Sequence, residues 1–395
     1  MSHRRPAGRT VTAVPRPDPP VTPSWKRSQR TPRPPRILFW TYDARSPSFR
    51  HRHRPLLALL ADQGWRCRVE EIAKGRYFRR ILRRRRELAQ TDVLVLAKIK
   101  LGLGEPLLLT TLPTRIVFDF DDAIYVRQAA RLESEPDRSS LRRIKFRHTC
   151  RLAHLVLAGN EQLASASREH SNWVETIPTS IDLLPVGEKK GTGRTLVWIG
   201  MPENLKYLEL IRRPLTELQQ LYPDLKLRVI CSQPPPWPEA NIEWIPWSEQ
   251  VETPALASAD IGLMPLTDDT WSRGKCGFKL LQYMSHALPC VASPVGVNRD
   301  IVRGGNTGFL ARSELEWFSA IRKLLDDLHL RQGIGMRGWD HVRRHYNRDE
   351  IVPRTAALLS RLLQEDRPKA QGSSRWRTSS TTRPMLSPEK PLPWR

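Results

Sequence analysis

What most constrains the fold of this chain is a regular alternation of short apolar runs with helix-like segments, present in both halves. In the first half, RILFWTY from Arg36, RCRVEEI from Arg66, DVLVLA from Asp92, RIVFDF from Arg115 and HLVLAG from His154 are β-branched and aromatic-rich, as buried parallel strands are. Between them lie RPLLALLADQG from Arg54, RYFRRILRRRRELAQ from Arg76 and SSLRRIKFRHTCRLA from Ser139. The second half restarts the rhythm with TLVWIG from Thr195, KLRVICS from Lys226, NIEWIPW from Asn241, DIGLMPL from Asp260 and PCVAS from Pro289, separated by helical stretches from Leu205, Lys279, Glu314 and Leu330. Strand and helix at this spacing form βαβ units with right-handed crossovers. The expectation is an α/β chain of two Rossmann-like, doubly wound parallel sheets facing a cleft.

Domain boundaries follow from composition. Residues 1–35 and 366–395 are rich in Pro, Arg, Ser and Thr without apolar periodicity, so they are read as disordered tails. Residues 36–182 form the first domain. The Pro- and Gly-rich stretch from Glu175 to Gly193 is read as the connection, with 183–193 as linker, 194–347 as the second domain and 348–365 as a C-terminal helix crossing back.

Net charge is +24, and its location is informative. More than half of it lies in residues 1–36 and 366–395, and almost all the remainder in the first folded half. A basic first half favours an anionic partner there: a membrane leaflet, a phosphorylated lipid or nucleic acid. The run Arg83 to Arg86, accompanied by Tyr77, Phe78, Ile81 and Leu82, reads either as a solvated helix face or as an interfacial amphipathic helix. No stretch is apolar enough to span a bilayer, and the five cysteines are scattered without metal spacing. This predicts a cytoplasmic protein, at most peripheral on the inner face of the membrane, with no bound metal.

Residues 260–310 carry the chemistry. A strand ends at Leu266, a polar loop brings Asp268, Asp269, Trp271 and Lys275, and a helix starts near Gly277. Unpaired helix amides beside loop cations suit a diphosphate. A second strand ends at Ser293 and passes into PVGVN, where Gly296 allows close backbone approach.

This pattern resembles the donor domain of the group 1 glycosyl transferases (family 4), which have the GT-B fold; the resemblance extends over residues 36–365. It places Gln282, Tyr283, Met284 and Ser285 on the second motif glutamate and its neighbours, Pro289 on the motif proline, and Gly296 with Asp300 on the Gly-rich turn and its acid. Counting back eight from Gln282 reaches Gly274, so both glutamates of the family motif are missing. After the strand from Thr195, six residues beyond Gly200 fall on the expected phosphate lysine, Lys206, while Met201 stands where the family has Arg. Lys275 or Lys279 could supply the absent charge.

The resemblance implies a retaining glycosyltransferase taking a UDP- or GDP-sugar as substrate, without other cofactor, and a glycan, lipid-linked or small-molecule acceptor. The expected catalytic residues are Asp121, Asp122, Lys206 and Lys275. Donor contacts are expected from Gly200, Asn204, Lys279, Gln282, Gly296, Val297, Asn298 and Asp300, and acceptor contacts from Arg45, Ser48 and Arg50. Asp121 and Asp122 end a predicted strand, where an α/β site is lined; an N-cap is their alternative role. The rivals are a polyanion- or nucleic-acid-binding protein, disfavoured by the lack of any such motif, and a donor-binding homologue that has lost catalysis.

Overall fold

The structure, a computed structural model, describes residues 33–129, 132, 139–183, 185, 193–237 and 241–365. Most of both tails and most of the stretch 183–193 lie outside the described residues. The first sheet contains β1 (Arg36–Thr41), β2 (Arg66–Glu71), β3 (Val93–Ala97), β4 (Arg115–Phe120), β5 (Leu155–Ala158) and β6 (Val174–Thr176). The second contains β7 (Thr195–Ile199), β8 (Lys226–Ile230), β9 (Ile242–Ile245), β10 (Ile261–Met264), β11 (Cys290–Ala292) and β12 (Gly308–Leu310). Their orders are β2-β1-β3-β4-β5-β6 and β12-β11-β10-β7-β8-β9, and every strand pair is parallel.

The central strands are buried almost throughout and mostly apolar because helices cover both faces. Phe39, Trp40, Phe118 and Phe120 in the first sheet and Trp198 in the second are essentially inaccessible, each contributing about 1.5–3 kcal/mol of burial free energy. In each sheet the strand order reverses once, between β1 and β3 and between β7 and β10. At such a switch point the neighbouring connections leave on opposite faces and a crevice opens beyond the strands' carboxyl ends. Both switch points open onto the same interdomain cleft.

Three local expectations are corrected. Glu175 lies in β6, so the connection between the domains begins later than the Pro pattern suggests; with three residues each, β6 and β12 are too short to show a period. The helical stretch from Arg76 breaks at Arg84 into Tyr77–Arg83 and Arg85–Ala89. The stretch at Leu205 begins as a 3₁₀ helix, Pro202–Ile211, and becomes α-helical only over Arg212–Leu221. The last helix, Arg348–Gln364, sends Ile351, Val352, Ala356, Leu359 and Leu362 into the first domain's core. Ile181 and Asn347, where the chain crosses between domains, pair as a parallel bridge.

Candidate functional site

Loops after β1, β4, β7 and β10 converge on a cleft of about 430 Å³. On the first-domain wall, Arg45 N–H donates to Asp43 Oδ1 at 2.8 Å, which tightens the loop after β1. The chain then enters a π-helical turn, Phe49–His53, a device that re-aims side chains at a helix start. Here it directs Arg50 across the cleft and Arg52 inward. Arg52 is buried and grips Asp119 at the end of β4 with two contacts, 3.0 and 3.1 Å, while Nη1 donates to the Ile177 carbonyl at 2.7 Å.

Asp121 and Asp122, the next residues, line the cleft around Lys98. This lysine follows β3 with a left-handed backbone, φ 58°. Its ammonium lies 2.7 Å from Asp121 Oδ1, contacts Asp122 and donates to Ser48 Oγ at 2.9 Å. Burial opposes ionisation of Asp121, but Lys98 and Arg52 outweigh it and hold the carboxyl well below its usual range. Burial likewise lowers the Lys98 ammonium, but the two aspartates more than restore it.

On the facing wall, the helix Phe278–Ser285 starts at Gly277, whose φ of 66° suits glycine. Lys275 and Lys279 flank that start and line the cleft. Lys275 Nζ donates to Asn204 Oδ1 at 3.2 Å, and Lys279 Nζ sits 5.4 Å over the Trp198 ring. Neither is salt-bridged to a carboxylate among the described residues. Burial lowers Lys275; burial, then Lys275, pushes Lys279 down to about 7. A Cβ on Gly200 would come within 2.6 Å of Trp198 and 2.9 Å of Lys279 Cε, so glycine is what lets the β7 end approach these groups.

Gln282, one turn further, is buried and donates to Glu252 Oε1 at 2.7 Å. The other Glu252 oxygen receives Arg50 at 3.0 Å and Trp247 Nε1 at 2.9 Å. A carboxylate from the helix Glu249–Ala257 thus stands beside Gln282 and pairs with the opposite domain. Neither Glu252 nor Lys98 is among the site residues expected from the sequence pattern, which reads Trp247 as a packing residue, whereas Trp247 lines the cleft and donates to Glu252. Lys98 carries the same signal as Asp121, a charged residue at the end of a buried parallel strand; Glu252 carries none, because its helix has a weak apolar period and a proline at position 254.

The cleft brings together Arg45, Ser48, Arg50, Asp121, Asp122, Gly200, Asn204, Lys275, Lys279 and Gln282. It does not include Lys206, whose ammonium donates to the Ala129 carbonyl and lies 5.2 Å over the Tyr207 ring. The 3₁₀ start of its helix explains this: three residues per turn rotate position 206 away from the face that an α-helix would present. Gly296, Val297, Asn298 and Asp300 also lie outside the lining. Gly296 backs onto the Arg273 backbone, Val297 approaches Gly277, Asn298 is buried and donates to the Ser293 carbonyl at 3.0 Å, and Asp300 is exposed on the short helix Asn298–Ile301. Lys206→Ala is therefore expected to change nucleotide affinity by less than about 0.5 kcal/mol, readable by calorimetry; a tenfold loss would return this lysine to the site.

Residues 193–327 match the family model "Glycosyl transferases group 1". No curated protein matches the chain in sequence. Among solved structures, sucrose-phosphate synthase from Thermosynechococcus elongatus superposes with a TM-score of 0.64 at 13% identity, over 84% of this chain and 99% of that one. A glycosyltransferase from Rickettsia africae gives 0.61 at 11%, over 84% and 100%. Anabaena HepE in complex with UDP-glucose gives 0.58 at 13%, over 82% and 99%. The second domain thus matches the group 1 glycosyl transferase model over residues 193–327, and the chain as a whole has the two-sheet GT-B fold of these glycosyltransferase structures.

Proposed function

We propose that the chain moves a sugar from a nucleoside diphosphate sugar to an acceptor hydroxyl that enters along the first-domain wall. The observation that carries this reading is the pair Lys275 and Lys279. Two ammonium groups with no carboxylate partner among the described residues flank a helix start and a close-approaching glycine, the chemistry a diphosphate recognises. UDP- or GDP-sugar is the proposed donor. HepE is described with UDP-glucose, and a pneumococcal O-GlcNAc transferase of like fold with UDP and GlcNAc.

As the glycosidic bond to the diphosphate breaks, negative charge grows on the β-phosphate. Fixed cations and helix amides stabilise that charge most in the transition state. Gln282 and Glu252 offer the ribose hydroxyls an amide and a carboxylate, the latter restoring the negative charge that the motif position itself lacks. Asp121, held ionised by Lys98, is too weak a base to strip a hydroxyl of its proton; with Asp122 it accepts the acceptor's hydrogen bonds and fixes its direction. Retention of anomeric configuration, a glycan, lipid-linked or small-molecule acceptor, and work in the cytoplasm at the inner face of the membrane complete the proposal.

Thermal shift with UDP, GDP and their sugars tests it. A ligand that binds only the folded chain raises the melting temperature in proportion to RT ln(1 + [L]/Kd). One nucleotide should do so at submillimolar concentration, and Lys275→Met should reduce the shift. No shift with either nucleotide would sink the donor reading.

A further inference from the structure

Outside the cleft, one face of the first domain combines exposed apolar groups with unpaired cations. Three helices adjoin there: Tyr77–Arg83, Glu105–Thr110 and Ser140–Leu152. They and the loop before the second carry Phe78, Leu82, Leu103, Leu107 and Leu141, which are 44% to 71% exposed. Among the described residues these are five of the twelve exposed large apolar side chains, so they form a concentration and not ordinary scatter. Phe78 lies against the loop: a Cβ on Gly104 would sit 3.2 Å from its ring.

Beside this strip, at the carboxyl ends of β2, β1 and β3, stand Lys74, Lys100, Arg142 and Lys145. Lys74 Nζ is 5.3 Å over the Tyr42 ring. The Lys100 segment is tied to the third helix, because Leu101 N–H donates to Thr149 Oγ1 at 2.9 Å and that hydroxyl donates to the Lys145 carbonyl at 2.7 Å. None of the four cations pairs with a carboxylate among the described residues. Burial, then Arg142, Lys74, Lys145 and Lys98, pushes the Lys100 ammonium down to about 8. Like charges gathered without a counterion oppose folding, and an anion placed among them relieves that.

We propose that this face docks on an anionic lipid surface, with phosphate headgroups among Lys74, Lys100, Arg142 and Lys145 and acyl chains against Phe78, Leu103 and Leu107. Interfacial binding draws on this combination of buried apolar area and basic attraction. Lys98, two residues before Lys100, sits in the cleft with Asp121 and Asp122. Docking therefore sets the acceptor side of the cleft at the headgroup layer. The surface deepens the glycosyl-transfer reading by giving the acceptor a membrane address, and it rests on that reading for this role alone.

Sedimentation of the full chain with phosphatidylcholine vesicles, with and without phosphatidic acid, provides the test. Wild type is expected to pellet only with the anionic vesicles. Lys100→Gln/Arg142→Gln/Lys145→Gln should weaken partition at least tenfold at moderate salt. Leu103→Ser/Leu107→Ser should release the chain at high salt, where charge is screened and apolar contact remains. Every variant shares the basic ends, so pelleting equal to wild type in both variants would overturn the proposal and assign the binding to those ends. Displacement from vesicles by an equal concentration of inorganic pyrophosphate would also overturn it, in favour of a soluble phosphate ligand. Nucleotide thermal shift is expected to be unchanged in each variant. A chain that binds neither UDP nor GDP and still pellets through these residues would refute the donor reading and leave the lipid surface standing.

Discussion

Replacing Arg52 by Leu is expected to lower the stability of the chain by about 3–5 kcal/mol, the cost of leaving one member of a buried ion pair without its partner. Arg52 and Asp119 are both nearly inaccessible, and the guanidinium also satisfies the Ile177 carbonyl and Thr179 Oγ1. Removing it strands the carboxylate in the core and frees the segment after β6, which reaches the cleft at Thr179. Arg52→Leu/Asp119→Leu should recover much of the loss, because no isolated charge then remains buried. Urea unfolding of the first transition measures this. A loss below about 1 kcal/mol for Arg52→Leu would mean that water reaches Asp119, and the pair would have the modest weight of a surface bridge.

That pair also illustrates what the sequence did and did not disclose. The apolar runs at Arg36, Asp92 and Arg115 revealed two wound sheets because a strand covered on both faces has no polar side to confuse its pattern. The topology predicts a cleft at the strand ends, and Asp121 and Asp122 lie in its lining because β4 ends there. Arg52 lies in a run of His and Arg, HRHR, that looks solvated; the structure buries the consecutive residues Arg52 and His53 against Asp119 and leaves Arg54 exposed. Lys206 presents the converse case, a spacing signal on a residue that stands outside the cleft lining. Its spacing from Gly200 fits a phosphate lysine, but spacing specifies a place in space only once the helix type is known, and a 3₁₀ start changes it. The missing motif glutamate was visible as Gln282, whereas its neighbour Glu252, thirty residues earlier, could not be paired with it before the fold was known.

The second large effect concerns Lys279. Its ammonium is pushed to about 7 by burial and Lys275, against the weaker opposing pull of Asp122, Glu203 and Cys231. A diphosphate beside it favours the charged form, so its pKa is higher in the complex than in the free chain. The sign follows: below about pH 7 the lysine is already charged and affinity is full, and above 7 each binding event must take up a proton, so affinity falls as pH rises. The limiting slope is about one decade per pH unit until the pKa of the complex is reached. Lys279→Met should cost roughly ten- to hundredfold in nucleotide affinity at pH about 6.5, in keeping with a charge-assisted contact of about 1.5–3 kcal/mol, and should flatten the slope above 7. The nucleotide's own terminal phosphate titrates near 6, below that window, and acts equally on both proteins. Lys275→Met should weaken binding as well, but it removes the cation that lowers Lys279, so its slope should begin at higher pH. Calorimetry in buffers of differing ionisation enthalpy reads the proton uptake directly. Affinity independent of pH between about 7 and 9 in wild type, or an equal slope in Lys279→Met, would show that this lysine does not meet the diphosphate.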